Sequence, residues 1–371
     1  MAIPEGVIVA MLTPFREDGR INEIEVRKLV NFLIDSGVDG IFPVSSCGEY
    51  VHMDMEERKY LIDIVTDENN GRVAIVPGTG ATCFEKSIEL ADYAKEKGCS
   101  AVVLHGPYFF KNINDVVEEH LKKVAVAVDI PIFLYNIPFF ANEITPQIAH
   151  DLCVLPNVVG IKDSSGNMIN VMNLIDMTRK IKPDFKVLVG VEEILYPALA
   201  AGCNGCMTAT AGILPEFMVG IYDNFLNENY SYALELQLAI LEFIRTMKSV
   251  NFPQGFKEAL DLRGIKMGPP KMAYSTLLGN ELVEVKNKLR KMTEDLLLKY
   301  FPHSKMEYTP SKEIIPFCEY VEIKTRQYVD SANCKIDTGS LGNKKSSSVL
   351  SNNINEMVEI ISSQIIQQMM K

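Results

Sequence analysis

Residues 157–166 read NVVGIKDSSG, and this stretch combines a predicted buried strand with a lysine at its end. The apolar run from Val158 to Ile161 is typical of a fully buried strand. Lys162 follows inside the run, and the turn-forming residues Asp163–Gly166 come next. An ammonium group is costly to bury unless it is paired or neutralised. A lysine in this place therefore calls for a chemical explanation.

Seven further strand-like runs lie along the chain, and helical patterns separate them. Alternating strands and helices predict an α/β fold with a parallel sheet. The count of eight and the even spacing favour a (β/α)8 TIM barrel over the alternative, an open doubly wound sheet. The predicted strands are GVIVAMLT (6–13), GIFPV (40–44), VAIVPG (73–78), AVVLHG (101–106), IPIFLYN (130–136), VVGIKD (158–163), KVLVG (186–190) and GCMTAT (205–210).

The chain continues beyond the barrel pattern and changes character after Pro302. We predict the barrel over residues 1–225 and a C-terminal helical subdomain over residues 226–302. Residues 303–353 are predicted to be an extension and flexible linker, because they include the run NKKSSSVLSNN. Residues 354–371 carry their apolar side chains on one helical face and are predicted to form an amphipathic terminal helix. Helical patterns after the last strand cover residues 214–228, 231–248, 254–262 and 281–300.

Composition excludes several classes of function. The formal charge of −11 and the lack of a basic stripe argue against a nucleic-acid partner. No apolar run approaches the about 18 residues of a membrane span, and the N-terminus has no basic n-region, so we expect neither a membrane segment nor a signal peptide. The eight cysteines lie mostly in apolar or helical contexts, which indicates free thiols and a cytoplasmic protein. We expect no cofactor and no metal, because GTGATC (78–83) is not a full dinucleotide fingerprint and CNGC (203–206) has no second cysteine pair.

Reactive side chains are predicted to meet at the C-terminal ends of the strands, where barrel active sites lie. Lys162 ends strand 6, and a neutral amine in a dry pocket can attack a ketone and form a Schiff base. The alternatives are an amine that reaches solvent or pairs with Asp163. Tyr135 ends the neighbouring strand, where its phenol can move the protons that Schiff-base chemistry requires. The alternative is a core tyrosine whose hydroxyl is satisfied.

The loop SSCGE (45–49) after strand 2 is the third part of the predicted site. Successive backbone N–H groups in a Ser/Gly loop at a strand-to-helix turn form a cradle for a carboxylate, and the hydroxyls of Ser45 and Ser46 add donors. The alternative for Glu49 is a structural carboxylate that caps loop amides. His105 is predicted to line the pocket or to be a hydrogen-bonded core residue. The other predicted substrate-binding residues lie at the ends of strands 1, 7 and 8: Thr13, Gly190, Glu192 and Met207.

Four motifs carry a resemblance to a known family. TPF at the end of strand 1, SSCGE, YNIP and GIKDSSG occur in this order. Together they resemble the dihydrodipicolinate synthase/N-acetylneuraminate lyase family of class I, pyruvate-handling aldolases, over about residues 1–300. The resemblance implies a homotetrameric TIM barrel without a metal or an organic cofactor. It also implies that Lys162 is the Schiff-base lysine, that Tyr135 transfers protons, and that Ser46 and Cys47 hold the carboxylate of pyruvate.

The sequence departs from the synthases of this family at three places. Ser46–Cys47 stands where the synthases have a Thr-Thr pair, and Phe109 in GPYFF stands where they have a tyrosine that serves a neighbouring subunit. The stretch FFAN (139–142) lacks the arginine that would grip a second carboxylate. Glu192 and Glu193 resemble the Gly-x-Asp-Glu run of sialic acid lyases, and two carboxylates would accept hydrogen bonds from substrate hydroxyls. The alternative for this pair is a helix N-terminus that favours acidic residues.

These features predict a Schiff-base-forming lyase that cleaves or forms a 2-keto acid from pyruvate and an aldehyde. The substrate is expected to resemble a 2-keto-3-deoxy sugar acid or a sialic acid. The alternatives are a 4-hydroxy-tetrahydrodipicolinate synthase, a dehydratase that uses the same Schiff base, and an inactive family member that acts as a scaffold or regulator.

The tail is expected to have a function separate from catalysis. A linker followed by a short amphipathic helix resembles the peptides that bring enzymes into bacterial microcompartments, so residues 354–371 are a candidate for docking to a microcompartment shell. The alternatives are a helix that packs back on the barrel and a helix that self-associates.

Overall fold

The computed structural model describes residues 3–310 with the exception of residue 274. The predicted terminal helix (354–371) and most of the predicted linker (303–353) lie outside the described residues.

Eight parallel strands form the centre of the molecule, and each coincides with a predicted run. They are β1 (Gly6–Ala10), β2 (Gly40–Phe42), β3 (Ala74–Ile75), β4 (Val102–His105), β5 (Ile132–Asn136), β6 (Val158–Asp163), β7 (Lys186–Val189) and β8 (Gly205–Thr208). Their order in the sheet is β3-β2-β1-β8-β7-β6-β5-β4.

The sheet closes on itself, which confirms the TIM barrel and excludes the open doubly wound sheet. The first and last strands are neighbours, with Gly6 opposite Gly205. The gap between β3 and β4 is bridged just beyond β3, where Gly78 pairs with Val103 in parallel. There the backbone N–H of Val103 donates to the carbonyl of Pro77 at 2.9 Å. Closure brings the C-terminal ends of all eight strands to one rim.

In the described part of the chain one helix follows each strand, and four more helices follow the eighth. The barrel helices are α1 (Glu23–Asp35), α2 (Met55–Asn69), α3 (Phe84–Glu96), α4 (Asn114–Ala127), α5 (Pro146–Leu152), α6 (Met168–Arg179), α7 (Leu195–Ala200) and α8 (Pro215–Leu226). The additional helices are α9 (Tyr230–Ala239), α10 (Leu241–Met247), α11 (Gln254–Asp261) and α12 (Thr276–Tyr300).

Two of the predicted helices differ in extent from the structure. Residues 231–248 form two helices, α9 and α10, which meet at Ile240 with φ −89° and ψ −5°. The sequence has no glycine or proline at this position, so no local signal indicates the break. Helix α12 begins at Thr276 rather than at residue 281, because the Ser275 side chain accepts a hydrogen bond from the backbone N–H of Leu278 and caps the helix.

Close packing at the barrel strands explains the glycine in the stretch VVGIKD. A side chain at Gly160 would place its Cβ 2.5 Å from the carbonyl oxygen of Lys186 and 2.6 Å from the ring of Phe133. Glycine is therefore required where β6 passes between β5 and β7. Every residue of β6 is buried, including Lys162.

The described end of the extension packs against the barrel. The Tyr308 hydroxyl donates to Asp35 at 2.6 Å, and the backbone N–H of Tyr308 donates to the carbonyl of Arg263 at 2.9 Å. The Arg263 side chain in turn donates to the carbonyl of Met306. Helices α9–α12 lie within the predicted subdomain range, and the boundary at residues 225 and 226 stays a prediction. No helix among the described residues combines the length and the apolar character needed to cross a bilayer.

Candidate active site

Lys162 and Tyr135 lie side by side at the C-terminal rim of the barrel. The two residues are direct partners in the pairing of β5 with β6. The Lys162 Nζ atom lies 4.1 Å from the centroid of the Tyr135 ring and 4.9 Å from the centroid of the Phe42 ring. Aromatic faces attract a cationic nitrogen, whether an ammonium or a protonated imine. The two rings therefore suit either state of this nitrogen.

Both alternative interpretations of Lys162, an amine in solvent and an amine paired with Asp163, disagree with the geometry. The residue is 3 % exposed, so its amine does not extend into solvent. The Asp163 carboxylate is used by other groups, because it accepts hydrogen bonds from the Asn136 amide at 2.7 Å and from the Ser165 hydroxyl at 2.6 Å. Successive strand residues point to opposite faces, which separates Asp163 from the lysine. Among the described residues, no carboxylate forms an ion pair with Lys162.

The loop after β2 is built tightly onto the end of β1. The Ser45 hydroxyl donates to the carbonyl of Met11 at 2.7 Å, and the Cys47 thiol donates to the carbonyl of Ala10 at 3.0 Å. Burial raises the pKa of the Cys47 thiol to about 11, so the sulfur stays protonated. Among the hydrogen bonds of the described residues, none uses the backbone N–H of Ser46 or Cys47. These two N–H groups are therefore free to hold an anion.

A buried ion pair anchors the same loop from behind. Glu49, with φ 62°, accepts a hydrogen bond from the Lys257 Nζ atom at 2.7 Å and from the backbone N–H of Lys271 at 2.9 Å. The side chains are 2 % and 3 % exposed for Glu49 and Lys257. Glu49 is thus the structural carboxylate of the alternative interpretation. Thr13 lies under Gly48 with its hydroxyl buried and unpaired in the described structure, and it is not part of the cavity wall.

A cavity of about 380 Å³ opens above Lys162 and gathers most of the predicted site residues. Ser46, Cys47, Tyr135, Gly190, Glu192 and Met207 all line it together with the lysine. A Cβ atom at Gly190 would lie 2.6 Å from the Lys162 Cε atom and still closer to the Ser164 hydroxyl. Gly190 therefore leaves the space that the lysine side chain occupies. Lining residues that the sequence analysis did not single out include Ser164, Val191, Ala209, Lys248, Phe252 and Phe256.

Lys248 places a positive charge beside Glu192, and the sequence alone did not indicate this contact. Its Nζ atom lies 2.8 Å from Glu193 and 3.4 Å from Glu192. Burial opposes the charged form, but the two carboxylates raise the pKa of Lys248, so it remains an ammonium. Glu192 also accepts a hydrogen bond from the backbone N–H of Thr210 at 3.3 Å. Lys248 follows α10 directly, and nothing local in RTMKSV distinguishes it from an exposed lysine.

Aromatic side chains form the outer wall of the cavity. Phe139 and Phe140 occupy the stretch in which the sequence lacks an arginine, and Phe140 contacts Phe252 with ring centroids 5.6 Å apart. Phe109, with φ 81°, is 88 % exposed and does not line the cavity within this chain. The outer wall thus presents apolar surface, and Glu192 and Lys248 are charged residues that line the same cavity.

The arrangement unites a buried amine, a phenol and two free backbone donors around one cavity. An amine next to an acid–base group can form and hydrolyse an imine, and the donors can hold a carboxylate beside it. No group of three or more His, Cys, Asp or Glu side chains in the described structure is placed to bind a metal ion.

Comparison with known proteins places this site in context. Residues 3–292 match the model of the "Dihydrodipicolinate synthetase family". A 4-hydroxy-tetrahydrodipicolinate synthase of Methanopyrus kandleri is 34 % identical over 270 residues, which are 72 % of this chain and 89 % of the relative. An uncharacterised DapA-like lyase of Pyrococcus horikoshii is 34 % identical over 267 residues, 72 % of this chain and 91 % of the relative.

Solved structures have the same architecture. The prophage protein YagE of Escherichia coli K12, a member of the dihydrodipicolinic acid synthase family solved in complex with pyruvate, superposes with a TM-score of 0.74 at 26 % identity. That match covers 80 % of this chain and 100 % of YagE.

Proposed function

The chain belongs to the dihydrodipicolinate synthetase family, and from this premise we propose that it is a Schiff-base-forming carbon–carbon lyase that joins or splits pyruvate and an aldehyde. The observation that carries the proposal is Lys162, a buried lysine without a carboxylate partner among the described residues, whose amine lies against the ring of Tyr135. The structure of a family member with pyruvate supports pyruvate as the first substrate.

In the proposed reaction the amine of Lys162 attacks the ketone carbon of pyruvate and forms a carbinolamine. Tyr135 donates a proton to the departing hydroxyl, water leaves, and a cationic imine remains. The Tyr135 phenolate then removes a proton from C3 of the bound pyruvate, and the imine becomes an enamine. The enamine carbon attacks the aldehyde, the new alkoxide takes a proton from Tyr135, and hydrolysis of the imine releases the 2-keto acid. Cleavage follows the reverse path.

Ser46 and Cys47 are proposed to hold the carboxylate of pyruvate. Their backbone N–H groups are unpaired among the described residues and border the cavity that contains Lys162. Oriented backbone donors bind an anion without the entropy cost of fixing long side chains. The Cys47 thiol is occupied by the carbonyl of Ala10, so the contribution of this residue is its backbone.

The aldehyde is proposed to be neutral and hydroxylated, as in a 2-keto-3-deoxy sugar acid. Phe140 leaves no guanidinium in the stretch after YNIP, and the cluster of Glu192, Glu193 and Lys248 carries a net negative charge. Such a cluster disfavours a second carboxylate, whereas a hydroxyl can donate to Glu192 and accept from Lys248. A sialic acid-like substrate satisfies the same requirement.

The second candidate is a 4-hydroxy-tetrahydrodipicolinate synthase, which the names of several relatives favour. The two functions make opposite predictions about the second substrate. Purified enzyme and pyruvate are incubated with either a small hydroxylated aldehyde, such as glyceraldehyde or erythrose, or aspartate semialdehyde, and pyruvate consumption is measured. Faster consumption with the hydroxylated aldehydes supports the sugar-acid lyase. Faster consumption with aspartate semialdehyde supports the synthase. No consumption with any aldehyde, together with no pyruvate adduct after borohydride treatment, supports the inactive scaffold.

The quaternary state and the tail are proposals from the sequence. We propose a cytoplasmic homotetramer whose residues 354–371 dock to a microcompartment shell. Removal of residues 350–371 is expected to leave activity and the tetramer intact and to abolish co-sedimentation with shells. Loss of folding on truncation would contradict a docking role.

A further inference from the structure

A second, much smaller cavity lies next to the active-site cavity on the side of β3 and β4. Its volume is about 10 Å³, and the residues that line it include Ser46, Tyr50, His105 and Tyr135. Ser46 and Tyr135 also line the cavity of Lys162, so the two spaces share a wall. A volume of about 10–15 Å³ is the smallest that accepts one water molecule, and a buried water needs two to four polar partners. Ser46, Tyr50, His105 and Tyr135 provide polar groups at its wall, and the first three also line a larger cavity of about 430 Å³.

The far side of the small cavity is a hydrogen-bonded pair of buried rings. The Tyr50 hydroxyl and the His105 Nε2 atom are 2.7 Å apart, and the His105 Nδ1 atom lies 2.7 Å from the carbonyl oxygen of Gly106. A carbonyl only accepts, so Nδ1 carries the hydrogen, Nε2 is bare, and the Tyr50 hydroxyl donates to it. Burial lowers the pKa of His105 to about 4, which keeps the ring neutral and this tautomer in place.

The direction of the Tyr50 hydroxyl determines what the small cavity can bind. Because its hydrogen points to His105, its oxygen offers only lone pairs to the cavity. Burial also raises the pKa of Tyr50, so the phenol does not ionise. Tyr135 also lines the small cavity, and its hydroxyl has no hydrogen-bond partner among the described residues. The cavity thus has a fixed acceptor at Tyr50 and borders the residue whose hydroxyl becomes a phenolate in the proposed reaction.

The local backbone is specialised for this arrangement. Glu49 has a left-handed conformation with φ 62°, and the next residue is Tyr50. Gly80 lies against the His105 ring, and a Cβ atom there would overlap the imidazole. The Arg58 guanidinium covers the Tyr50 ring at 4.9 Å from its centroid. These contacts fix both rings, as expected for groups that orient a third partner.

We propose that the small cavity holds a single water molecule that donates one hydrogen to Tyr50 and the other to Tyr135, and that Tyr50 and His105 are positioning residues for this water. The water stabilises the Tyr135 phenolate when Tyr135 has given its proton to the departing hydroxyl or to the new alkoxide. No proton has to reach His105, because the phenolate regains its proton from C3 of pyruvate in the first case and from the water that hydrolyses the imine in the second. The synthases of the family have a tyrosine at the position of Phe109. In this chain, Tyr50 and the water that it binds take the place of that missing phenol. This inference rests on the proposed function.

The test uses the exchange of the C3 hydrogens of pyruvate with D2O, which requires imine and enamine formation but no aldehyde. Tyr50→Phe keeps the ring and removes the oxygen that orients the water. The loss of one oriented donor to a developing anion typically costs about 10²-fold, and part of the contact remains through Ser46, so we expect exchange to slow at least about tenfold. The KM for pyruvate and the end-point yield of the adduct trapped with borohydride should stay unchanged.

Tyr93→Phe is the matched control, because it removes a phenol that donates to Asp63 on the outer helices. It is expected to exchange at the wild-type rate. His105→Leu is the second variant: it removes the Nε2 acceptor and frees the Tyr50 hydroxyl to turn towards the cavity, so it should slow exchange as well. If Tyr50→Phe does not fold, the exchange rate of the His105 variant tests the proposed water instead. Equal exchange in the folded Tyr50→Phe, His105→Leu and Tyr93→Phe variants would overturn the inference and leave the proposed function standing. A wild-type enzyme without exchange and without a borohydride adduct would overturn the proposed function instead.

Discussion

Gly190→Ala is predicted to disable Lys162 while leaving the barrel folded. The added Cβ atom would overlap the Ser164 hydroxyl and would lie 2.6 Å from the Lys162 Cε atom, whereas ordinary contacts between such atoms begin at 3.4 Å. Gly190 is not among the residues with positive φ, so alanine brings no backbone strain. Both side chains must therefore move, the lysine by about 1 Å, and a displacement of about 1 Å in a reacting group can cost about 10²-fold in rate.

The assay is the rate at which the lysine becomes trapped by borohydride in the presence of saturating pyruvate. The control is Gly220→Ala in α8, where the nearest atoms are the flexible ends of Leu236 at 3.0 Å and Phe301 at 3.3 Å. We expect adduct formation to slow by about 10²-fold in Gly190→Ala and to be unchanged in Gly220→Ala. If a folded Gly190→Ala variant forms the adduct at the wild-type rate, Gly190 does not provide the space that the Lys162 side chain needs.

Three further predictions concern groups around the site. Lys257→Met should lower the free energy of unfolding by about 3 kcal/mol or more, because it leaves the buried Glu49 carboxylate without its cation. Wild-type protein should lose about 2 kcal/mol of unfolding free energy between about pH 7.5 and 5 through His105, because this ring ionises near its ordinary pKa in the unfolded chain but only at about 4 in the fold. Lys248→Met should lower kcat/KM for a hydroxylated aldehyde about tenfold without changing adduct formation with pyruvate, since it removes one charged donor.

Each of these predictions has a defined contradiction. Denaturant unfolding measures the first, and Lys180→Met, which breaks an exposed pair with Asp176, should cost less than about 1 kcal/mol. An equal cost for Lys257→Met would contradict the buried pair. For the prediction about His105, the unfolding free energy of His105→Gln should change less between about pH 7.5 and 5, because position 105 no longer binds a proton in the unfolded chain. An unchanged pH dependence of the unfolding free energy would contradict this prediction. For the third, an equal loss with unhydroxylated aldehydes would show that Lys248 does not recognise hydroxyls.

The sequence predicts the barrel and the centre of the site for the same physical reason. Parallel strands appear in the sequence as separate apolar runs, and the closed barrel brings their C-terminal ends to one rim. Tyr135 and Lys162 therefore meet in the structure. The residues that follow them, Asn136 and Asp163, are 27 positions apart in the sequence. The position of the loop 45–49 at this rim was likewise predictable, because the loop follows the C-terminal end of β2.

Contacts between distant elements were not predictable from local patterns. Lys248 reaches Glu193 across 55 positions, and Tyr50 reaches His105 across the same number. Neither pair has a periodicity or spacing that indicates the contact. Glu192 and Glu193 appeared in the sequence as an uncompensated acidic pair, and only the packing of α10 supplies their ammonium partner. Thr13 lies one layer below the cavity, because the loop at Gly48 covers it.

The central claim is that Lys162 forms a covalent imine with pyruvate, and mass spectrometry after incubation with pyruvate and borohydride tests it most directly. The reaction predicts an increase of about 72 Da on the peptide that contains Lys162, consistent with a reduced pyruvate adduct on an activated lysine. Folded protein without an adduct, or an adduct confined to another lysine, would contradict it.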